Sequence, residues 1–469
     1  MKSQMSSATV PIAEPAGLPV RRSRVWLVLT MAVATAAYAV AGCCLVALTW
    51  DGAGYVFNTI QRGHPAIPCN RYSDYPFLCV LFIFSRLIND PRWLAAIYGL
   101  VLALLPLGSL LLSFHFLSGP QLRSLRIWPV LGILLSALPG QVFLTAEAVP
   151  LAQVSWAVWA IVAAEISTSS LVWLAILTLF LFYLHPMAAL TYGVAGALFF
   201  GKTRLAIRQR RIDVWLGIAF LGLAAIRLWY GLVTANSYER GEETFAQNYL
   251  AFCNALPSLR MLPFVYLLGL AILGGAAGRL GQRLAVWLSG VTLGLLLLYG
   301  LAWAADPNLW VAAFSFRRFL LVGTLPLVAL GALHWWYENG SVTAQDPENR
   351  RKNWGPVMLS CAAVFFFVFV TQAFTWRHEL ARFQADLNAC AKAVANVDDL
   401  SWIPGTPLNH WASTPLSCVI QGQKVKKLFA LHSGDIRGRA IFLFPDIWFR
   451  PRNRWFEFEL SRQASSNSR

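Results

Sequence analysis

The feature that most constrains this chain is a series of apolar segments, each near or above the roughly 20 residues needed to cross a bilayer core. One soluble domain could not bury so many of them. The composition agrees, because 57% of the 469 residues are hydrophobic and only 13% are charged, which is about half the charged fraction of a soluble domain. We therefore interpret the chain as an all-α polytopic membrane protein.

Eleven segments are predicted to cross the membrane, with the N-terminus inside: residues 25–49, 93–117, 127–145, 151–166, 170–184, 187–200, 214–233, 261–278, 284–304, 319–336 and 355–376. The two short segments on either side of His185-Pro186 could instead form one kinked span. Basic clusters decide between these topologies. Eleven spans put every cluster on the cytoplasmic side, whereas a single kinked span would move the later clusters outside.

The formal charge of +16 follows from those clusters, which lie between apolar segments and not along one face or in one tail. We interpret them as topology signals and contacts to anionic lipid, and we expect no nucleic-acid partner. The apolar run after Arg24 is too long for the core of a signal peptide and lacks a clear cleavage site, so we expect the first segment to remain as a membrane anchor.

Three regions are predicted. Residues 1–24 are polar and form a disordered cytoplasmic tail. Residues 25–376 form the transmembrane domain, including a structured first external loop over 50–92, in which 76–88 is read as an in-plane or re-entrant helix. Residues 377–469 form a small extracytoplasmic α+β domain, because a helical pattern is followed by short strand-like runs such as 440–444 and 455–458.

The stretch Trp50-Asp51-Gly52-Ala53-Gly54-Tyr55 lies where the first apolar segment ends. A carboxylate at a membrane boundary, flanked by glycines that let other groups approach, suits a general base. We therefore take Asp51 as the leading catalytic candidate and Tyr55 as an auxiliary one. The alternative is a helix-end aspartate that contacts water or a neighbouring backbone amide.

Arginines at the outer side are candidates for binding an anion. Arg317 and Arg318 enter the tenth predicted span at the outer headgroup level, against the positive-inside bias, and guanidinium groups match phosphate oxygens. The alternative is contact with lipid headgroups. Arg227 lies inside the seventh predicted span, where an arginine needs a counter-charge, a phosphate or a water-filled cavity.

Further polar residues are predicted near the outer mouth of the bundle. Glu147 could supply a second carboxylate that orients an acceptor, assists the base or holds a divalent cation, and His185 could hydrogen-bond a phosphate or a sugar. The alternative for Glu147 and His185 is an ordinary polar turn residue.

Cysteine positions are compatible with an oxidising outer side. Cys390 could pair with Cys418, and Cys69 with Cys79. Their spacings match no zinc motif, so no metal site is expected at the cysteines. No Walker P-loop, G-x-G-x-x-G, H-E-x-x-H or G-x-S-x-G motif is found, which leaves ATP and soluble-nucleotide chemistry unsupported.

The chain resembles the integral-membrane GT-C glycosyltransferases in its overall arrangement. The shared features are a first span that ends in Asp51, an amphipathic segment after it, about eleven spans, arginines that enter a late span, and an external C-terminal domain. The resemblance implies transfer of a sugar from a polyprenyl-phosphate donor on the extracytoplasmic side. Asp51 would match the first-loop catalytic base, and Arg318 or Arg317 the residue that holds the carrier phosphate. Many members carry an acidic pair in this loop; here Gly52 follows Asp51, so a second carboxylate would be Asp74 or Glu147.

The implied reaction is an inverting displacement onto a glycan, lipid or protein acceptor, with membrane lipids as further partners. No cofactor is required, and a divalent cation stays open. The implied location is a bacterial inner membrane, with the site facing the periplasm. Two alternatives remain: a transporter or flippase that uses Arg227, Arg317 and Arg318 as its solute site, and a ligase or polymerase of lipid-linked glycans.

Overall fold

A computed structural model describes residues 18–49, 51–65, 72–119, 122–136, 138–203, 210–234, 282–306, 327–334, 354–391, 394–396, 413–430 and 456–458. The protein is mostly helical. The helices are α1 (Leu18–Cys43), α2 (Gly52–Arg62), α3 (Tyr75–Phe84), α4 (Pro91–Leu102), α5 (Leu104–Phe116), α6 (Ile127–Val130), α7 (Ala148–Ala163), α8 (Thr168–Leu184), α9 (Ala188–Thr203), α10 (Arg210–Thr234), α11 (Gln282–Ala305), α12 (Gly355–Ala389) and α13 (Ser413–Gln421).

Five helical stretches of the described residues are long and apolar enough to cross a membrane: Arg24–Cys43, Pro91–Phe116, Arg211–Thr234, Trp287–Ala305 and Gly355–Ala389. Their exposed faces carry large apolar side chains, such as Leu232 and Leu298, which is the surface that lipid requires. The predicted span at 261–278 lies outside the described residues, and of 319–336 only 327–334 are described. The count of eleven therefore stays a prediction.

The segments up to α10 run alternately between two ends of one bundle. At one end, which we call the Asp51 end, the Thr49 hydroxyl donates to the carbonyl of Val142 at 2.5 Å, and the Ser73 hydroxyl donates to the carbonyl of Phe180. At the other, which we call the Lys202 end, the Lys202 ammonium donates to the carbonyl of Val162 at 3.2 Å. Residues 127–143 and α8 thus finish at the Asp51 end, and α7 finishes at the Lys202 end.

The break at His185-Pro186 is a turn between two antiparallel helices. The hydroxyl of Tyr192 in α9 donates to the carbonyl of Thr178 in α8 at 2.7 Å. These residues are 14 positions apart, which in one continuous helix would separate them by about 21 Å. The chain therefore forms two separate helices here, α8 and α9, and the position of the basic clusters also favoured two segments.

Residues 127–145, predicted as one span, form an irregular segment in place of a single α-helix. After α6 come a π-helical stretch (Leu131–Ser136) and a 3₁₀ stretch (Leu138–Phe143). Pro139 has no amide donor for a helical hydrogen bond. Gly132 lies so close to Trp156 that an added Cβ would be 1.8 Å from the indole ring. Close packing on α7 and a missing donor together disfavour a regular helix.

Helix α7 is the centre of the bundle, because nearly all of its side chains are buried. Its 16 residues span about 24 Å, which is less than the roughly 30 Å of a bilayer core. At the edge, α1 packs along α12 in parallel: Gly355 lies against Trp26, and the Trp376 indole donates to the carbonyl of Leu45 at 2.9 Å. Helix α1 begins at Leu18, so residues 18–24, predicted as part of the tail, are helical.

The C-terminal region packs at the Asp51 end. Helix α12 continues beyond the apolar stretch, and α13 packs against α2 and α4. The region also contains two parallel strand pairs, β1 (Val394–Asn396) with β3 (Leu428–Ala430) and β2 (Lys424–Val425) with β4 (Glu457–Phe458), of which β1 precedes α13. The Phe456 ring lies 5.1 Å from that of Phe57 in α2. The predicted run at 440–444 lies outside the described residues.

The predicted disulfide between Cys390 and Cys418 is wrong for this structure, because both are free thiols. Cys418 is fully buried in α13, whereas Cys390 ends α12 and its carbonyl accepts from the Lys427 ammonium at 2.5 Å. Sequence spacing cannot show the direction in which each thiol points, and a disulfide needs a specific geometry between the two residues. Cys79 is also a free thiol, and its predicted partner Cys69 lies outside the described residues.

Candidate active site at the Asp51 end of the bundle

Three of the predicted acids stand immediately before helices without capping them. Asp51, Asp74 and Glu147 precede α2, α3 and α7, and their backbone angles (φ/ψ −77/−14, −79/−16 and −56/−22) are helical. A capping side chain needs an extended backbone at its own residue, and none of the three makes a side-chain cap hydrogen bond. Asp51 therefore stands at the end of a helix without capping it, and its alternative contact with water or a neighbouring backbone amide stays a prediction.

Asp90 shows what a structural acid looks like in the same protein. Its backbone is extended (φ −101, ψ 115), and its side chain accepts from the Arg92 amide at 2.9 Å, so it caps α4. It also forms an ion pair with the Arg92 guanidinium at 2.7 Å, and this hydrogen-bonded pairing lowers the pKa of Asp90. Asp51, Asp74 and Glu147 thus differ from Asp90, because no side chain among the three caps its helix.

Glu147 is buried and hydrogen-bonded to α2. It is 6% exposed and stands at the N-terminus of the central helix, where the partial positive charge of the helix end favours an ionised carboxylate. The Tyr55 hydroxyl, on the second turn of α2, donates to Glu147 Oε1 at 2.8 Å. This bond links two residues that the sequence analysis selected independently, 92 positions apart.

Asp74 joins the same group through a residue that the sequence analysis did not select. Tyr98 of α4 is 2% exposed, and the carboxylates of both Asp74 and Glu147 lie within electrostatic range of it. We call Tyr55, Asp74, Tyr98 and Glu147 the acidic cluster. It combines two buried carboxylates with two phenols, contributed by four separate elements of the chain.

Asp51 is held beside this cluster by close packing at Gly52. A Cβ added at Gly52 would lie 1.7 Å from the carbonyl oxygen of Ala47 and 2.7 Å from Cγ2 of Thr145. The Thr145 hydroxyl also donates to the carbonyl of Thr49 at 3.2 Å. The start of α2 is thus fixed against a residue two positions before Glu147, and only glycine allows this approach.

Arg227 lies at the same end, under a group of aromatic rings. It is 5% exposed, and its guanidinium sits 5.4 Å from the ring centres of both Phe182 and Tyr230. Ring contacts continue from Tyr230 to Tyr183 (6.4 Å) and from Tyr183 to Tyr72 (5.7 Å), two positions before Asp74. The aromatic contacts therefore connect Arg227 with the loop that carries Asp74.

His185 has a visible structural role. Its Nδ1 accepts from the Met187 amide at 3.2 Å, at the turn that leads into α9, which satisfies an amide that the helix start leaves without an intrahelical partner. This contact agrees with the reading of His185 as a polar turn residue. Its predicted contact with a phosphate or a sugar stays a prediction.

Two predicted site residues, Arg317 and Arg318, lie outside the described residues. Within the described ranges, no three side chains of His, Cys, Asp or Glu are grouped so that they could hold a metal ion. Binding of a divalent cation, which the sequence analysis left open, stays a prediction.

Polar side chains in the middle of the bundle were also missed from the sequence. The Tyr38 hydroxyl donates to Gln141 Oε1 at 3.1 Å, and Gln153 Nε2 donates weakly to the Tyr38 oxygen at 3.4 Å. Gln372 of α12 is fully buried. Glutamines within apolar segments were the available signal, because polar groups are rare in lipid and mark helix contacts or functional sites.

Comparison of the chain with protein-family models, with curated proteins and with solved structures finds no match in any of the three.

Proposed function

We propose that the protein is a membrane glycosyltransferase of the GT-C type, which moves a sugar from a polyprenyl-phosphate donor to an acceptor hydroxyl at the Asp51 end. The observation that carries the proposal is the placement of Asp51. It stands at the start of α2 without capping that helix, and Gly52 packs it beside Thr145 near the buried Tyr55–Glu147 pair.

A general base must be ionised and must reach the hydroxyl that it deprotonates. The N-terminus of α2 favours the ionised form of Asp51, and the residue is only half-buried, so an acceptor can approach it. In the proposed reaction the acceptor oxygen attacks the anomeric carbon from the side opposite the phosphate, and Asp51 takes its proton. The bond to the lipid phosphate breaks, and that phosphate leaves with the electron pair.

The leaving phosphate gains negative charge as its bond to the sugar breaks, so cations near it stabilise the transition state. Arg227 is the described candidate, with Arg317 and Arg318 as further candidates from the sequence. The acidic cluster serves a different purpose in this scheme. Glu147 holds the Tyr55 hydroxyl at 2.8 Å, one turn beyond Asp51, and thereby orients the face of α2 along which an acceptor approaches.

The proposal places the Asp51 end outside a bacterial inner membrane, in an eleven-span topology. Buried basic residues at the opposite end support this orientation. Arg126 donates to the carbonyl of Leu117 at 2.9 Å, and Lys202 pairs with Asp213 at 3.7 Å. Basic residues that follow spans favour the cytoplasmic side.

The test is Asp51→Asn in the purified full-length protein, assayed with polyprenyl-phosphate donors that carry radiolabelled sugars. We expect loss of the glycosidic product, with unchanged folding and unchanged binding of the donor lipid. Asp90→Asn is the matched control, because it removes a carboxylate that caps a helix at the same end of the bundle. Near-normal turnover by Asp51→Asn would remove the base assignment.

A transporter of a lipid-linked or anionic solute is the second candidate, and one observation favours it. Tyr38, Gln141 and Gln153 form a polar network in the middle of the bundle, and polar groups at that depth often line solute pathways. A transferase forms product in detergent, where no gradient exists. A transporter moves solute only in sealed vesicles.

A further inference from the structure

A cavity of about 60 Å³ lies toward the Lys202 end of the bundle, between the end of α5, helices α6, α7 and α9, and residues 327–334. The described residues that line it are all apolar, aromatic or glycine, and three of them are tryptophans: Trp128, Trp156 and Trp159. A water-sized group occupies about 10–15 Å³ of such space, so the cavity has room for roughly five chain atoms.

The indole nitrogens of these tryptophans are engaged elsewhere. Trp128 donates to Nδ1 of His334 at 3.0 Å, and Trp159 donates weakly to a backbone carbonyl of α9 at 3.4 Å. The nitrogen of Trp156 lies against Gly132, where an added Cβ would be 1.9 Å from it. A buried water needs two to four polar partners, so this cavity suits an apolar group better than water.

The cavity opens beside the last turn of α7. Ala163 in that turn and Leu198 of α9, one turn before Lys202, line it and are half-buried, as are two residues of the segment 327–334. From Ala163 the wall continues inward along α7 to Trp156, a rise of about 10 Å. This direction, from the end of the bundle toward its middle, is the direction of a lipid chain in the membrane.

Two arginines lie next to the cavity. Leu125, which lines it, stands between Arg123 and Arg126 in the chain. Arg126 donates to the carbonyls of Leu117 and Phe114 at 2.9 and 3.1 Å. Burial and, after it, the charge of Arg123 lower the pKa of Arg126 to about 10, so Arg126 stays cationic at neutral pH. Among the described residues neither arginine forms an ion pair with a carboxylate, which favours an anion from outside the chain.

We propose that this cavity binds one acyl chain of an anionic phospholipid, whose phosphate lies at Arg123 and Arg126. Guanidinium groups match phosphate oxygens, and the chain replaces empty space by van der Waals contacts with the tryptophan rings. A net negative headgroup gains from both arginines, whereas the choline group of a zwitterionic lipid is repelled by them. The cavity opens at the end of the bundle opposite to Asp51, so lipid binding there is independent of the proposed function.

Native mass spectrometry of the delipidated full-length protein counts bound lipids directly. Phosphatidylglycerol is titrated, and phosphatidylcholine with the same chains is the comparison. We expect one phosphatidylglycerol to bind saturably and more tightly than phosphatidylcholine. Arg123→Gln should weaken phosphatidylglycerol binding about fivefold, the usual contribution of one arginine near an anionic membrane surface, and should leave phosphatidylcholine binding unchanged.

Arg211→Gln is the matched control for charge. Arg211 is exposed, as Arg123 is, and it lies at the same end of the bundle, two positions before the Asp213 that pairs with Lys202. It belongs to α10, which contributes none of the described residues that line the cavity. Arg211→Gln should therefore leave phosphatidylglycerol binding unchanged.

Ala163→Leu tests the place of the chain. The larger side chain occupies the opening of the cavity, so saturable binding of phosphatidylglycerol should be lost. Thermal stability of the lipid-free protein should be kept or raised, because the leucine fills empty space. Ala225→Leu makes the same change on the exposed surface of α10 and should bind lipid as wild type does. The two arginine variants alter no packing in the cavity and test the site even if Ala163→Leu does not fold.

Three results would overturn the inference. In the first, folded Ala163→Leu binds phosphatidylglycerol as wild type does, which would place the chain elsewhere. In the second, Arg123→Gln and Arg211→Gln weaken binding equally, as a general attraction between a basic surface and anionic lipid predicts. In the third, polyprenyl phosphate at equal concentration displaces phosphatidylglycerol, which would make the cavity a site for the carrier lipid.

Discussion

The hydrogen bond between Tyr55 and Glu147 offers the most direct test of the site geometry. It joins α2 to the N-terminus of the central helix at 2.8 Å, and its two residues are 7% and 6% exposed. Tyr55→Phe removes only the donor hydroxyl. We expect this change to destabilise the protein, because Glu147 loses a hydrogen bond at a buried position.

The magnitude follows from the charge of the acceptor. Hydrogen bonds to ionised groups contribute about 1.5–3 kcal/mol, against roughly 1 kcal/mol for neutral pairs. We therefore expect Tyr55→Phe to lower the free energy of unfolding by about 2 kcal/mol. Glu147→Met removes the acceptor with little change in side-chain length, and in a double-mutant cycle the coupling between the two positions should be about 1–2 kcal/mol.

The assay is reversible unfolding in mixed micelles, with increasing sodium dodecyl sulfate and tryptophan fluorescence as the signal. Tyr72→Phe is the matched control, because its ring is 51% exposed and no hydrogen bond of its hydroxyl is found in the described structure. It should change stability by less than about 0.5 kcal/mol. A coupling energy near zero, or an equal loss in Tyr72→Phe, would refute the buried charge-assisted bond.

Two further predictions concern packing and charge. Gly52→Ala should prevent a stable fold, because the added Cβ would lie 1.7 Å from the Ala47 carbonyl oxygen. The expected result is loss of the monodisperse peak in size-exclusion chromatography. Gly294→Ala is the control and should be tolerated, because no atom lies within 4 Å of its added Cβ. Asp213→Leu should lower the free energy of unfolding by about 3 kcal/mol, because the buried charge of Lys202 loses its partner carboxylate. Adding Lys202→Met to Asp213→Leu should restore most of that stability, and thermal unfolding measures both effects. Full stability of Gly52→Ala would contradict the packing prediction. A double variant that is less stable than Asp213→Leu alone would contradict the charge prediction.

The sequence predicted those features of the fold that depend on one segment of the chain at a time. Apolar length and composition identified a membrane protein, because lipid imposes the same requirement on every segment. Basic clusters separated the segments at His185-Pro186, and the Tyr192–Thr178 bond shows that hairpin. Hydropathy could not show the irregular backbone at 127–143, because the proximity of Gly132 to Trp156 and the hydrogen bonds of Gln141 are properties of the packed bundle.

The sequence by itself determined that polar groups would gather where the first apolar segment ends, because carboxylates are excluded from lipid and Asp51 is the first one available. Only the tertiary structure decided which groups meet there. It paired Tyr55 with Glu147 across 92 positions, brought Tyr98 into range of two carboxylates, gave Asp90 the capping role that Asp51 lacks, and left Cys390 and Cys418 as separate thiols. Hydropathy reports on one segment at a time, whereas a side chain's partner depends on packing between segments far apart in the chain.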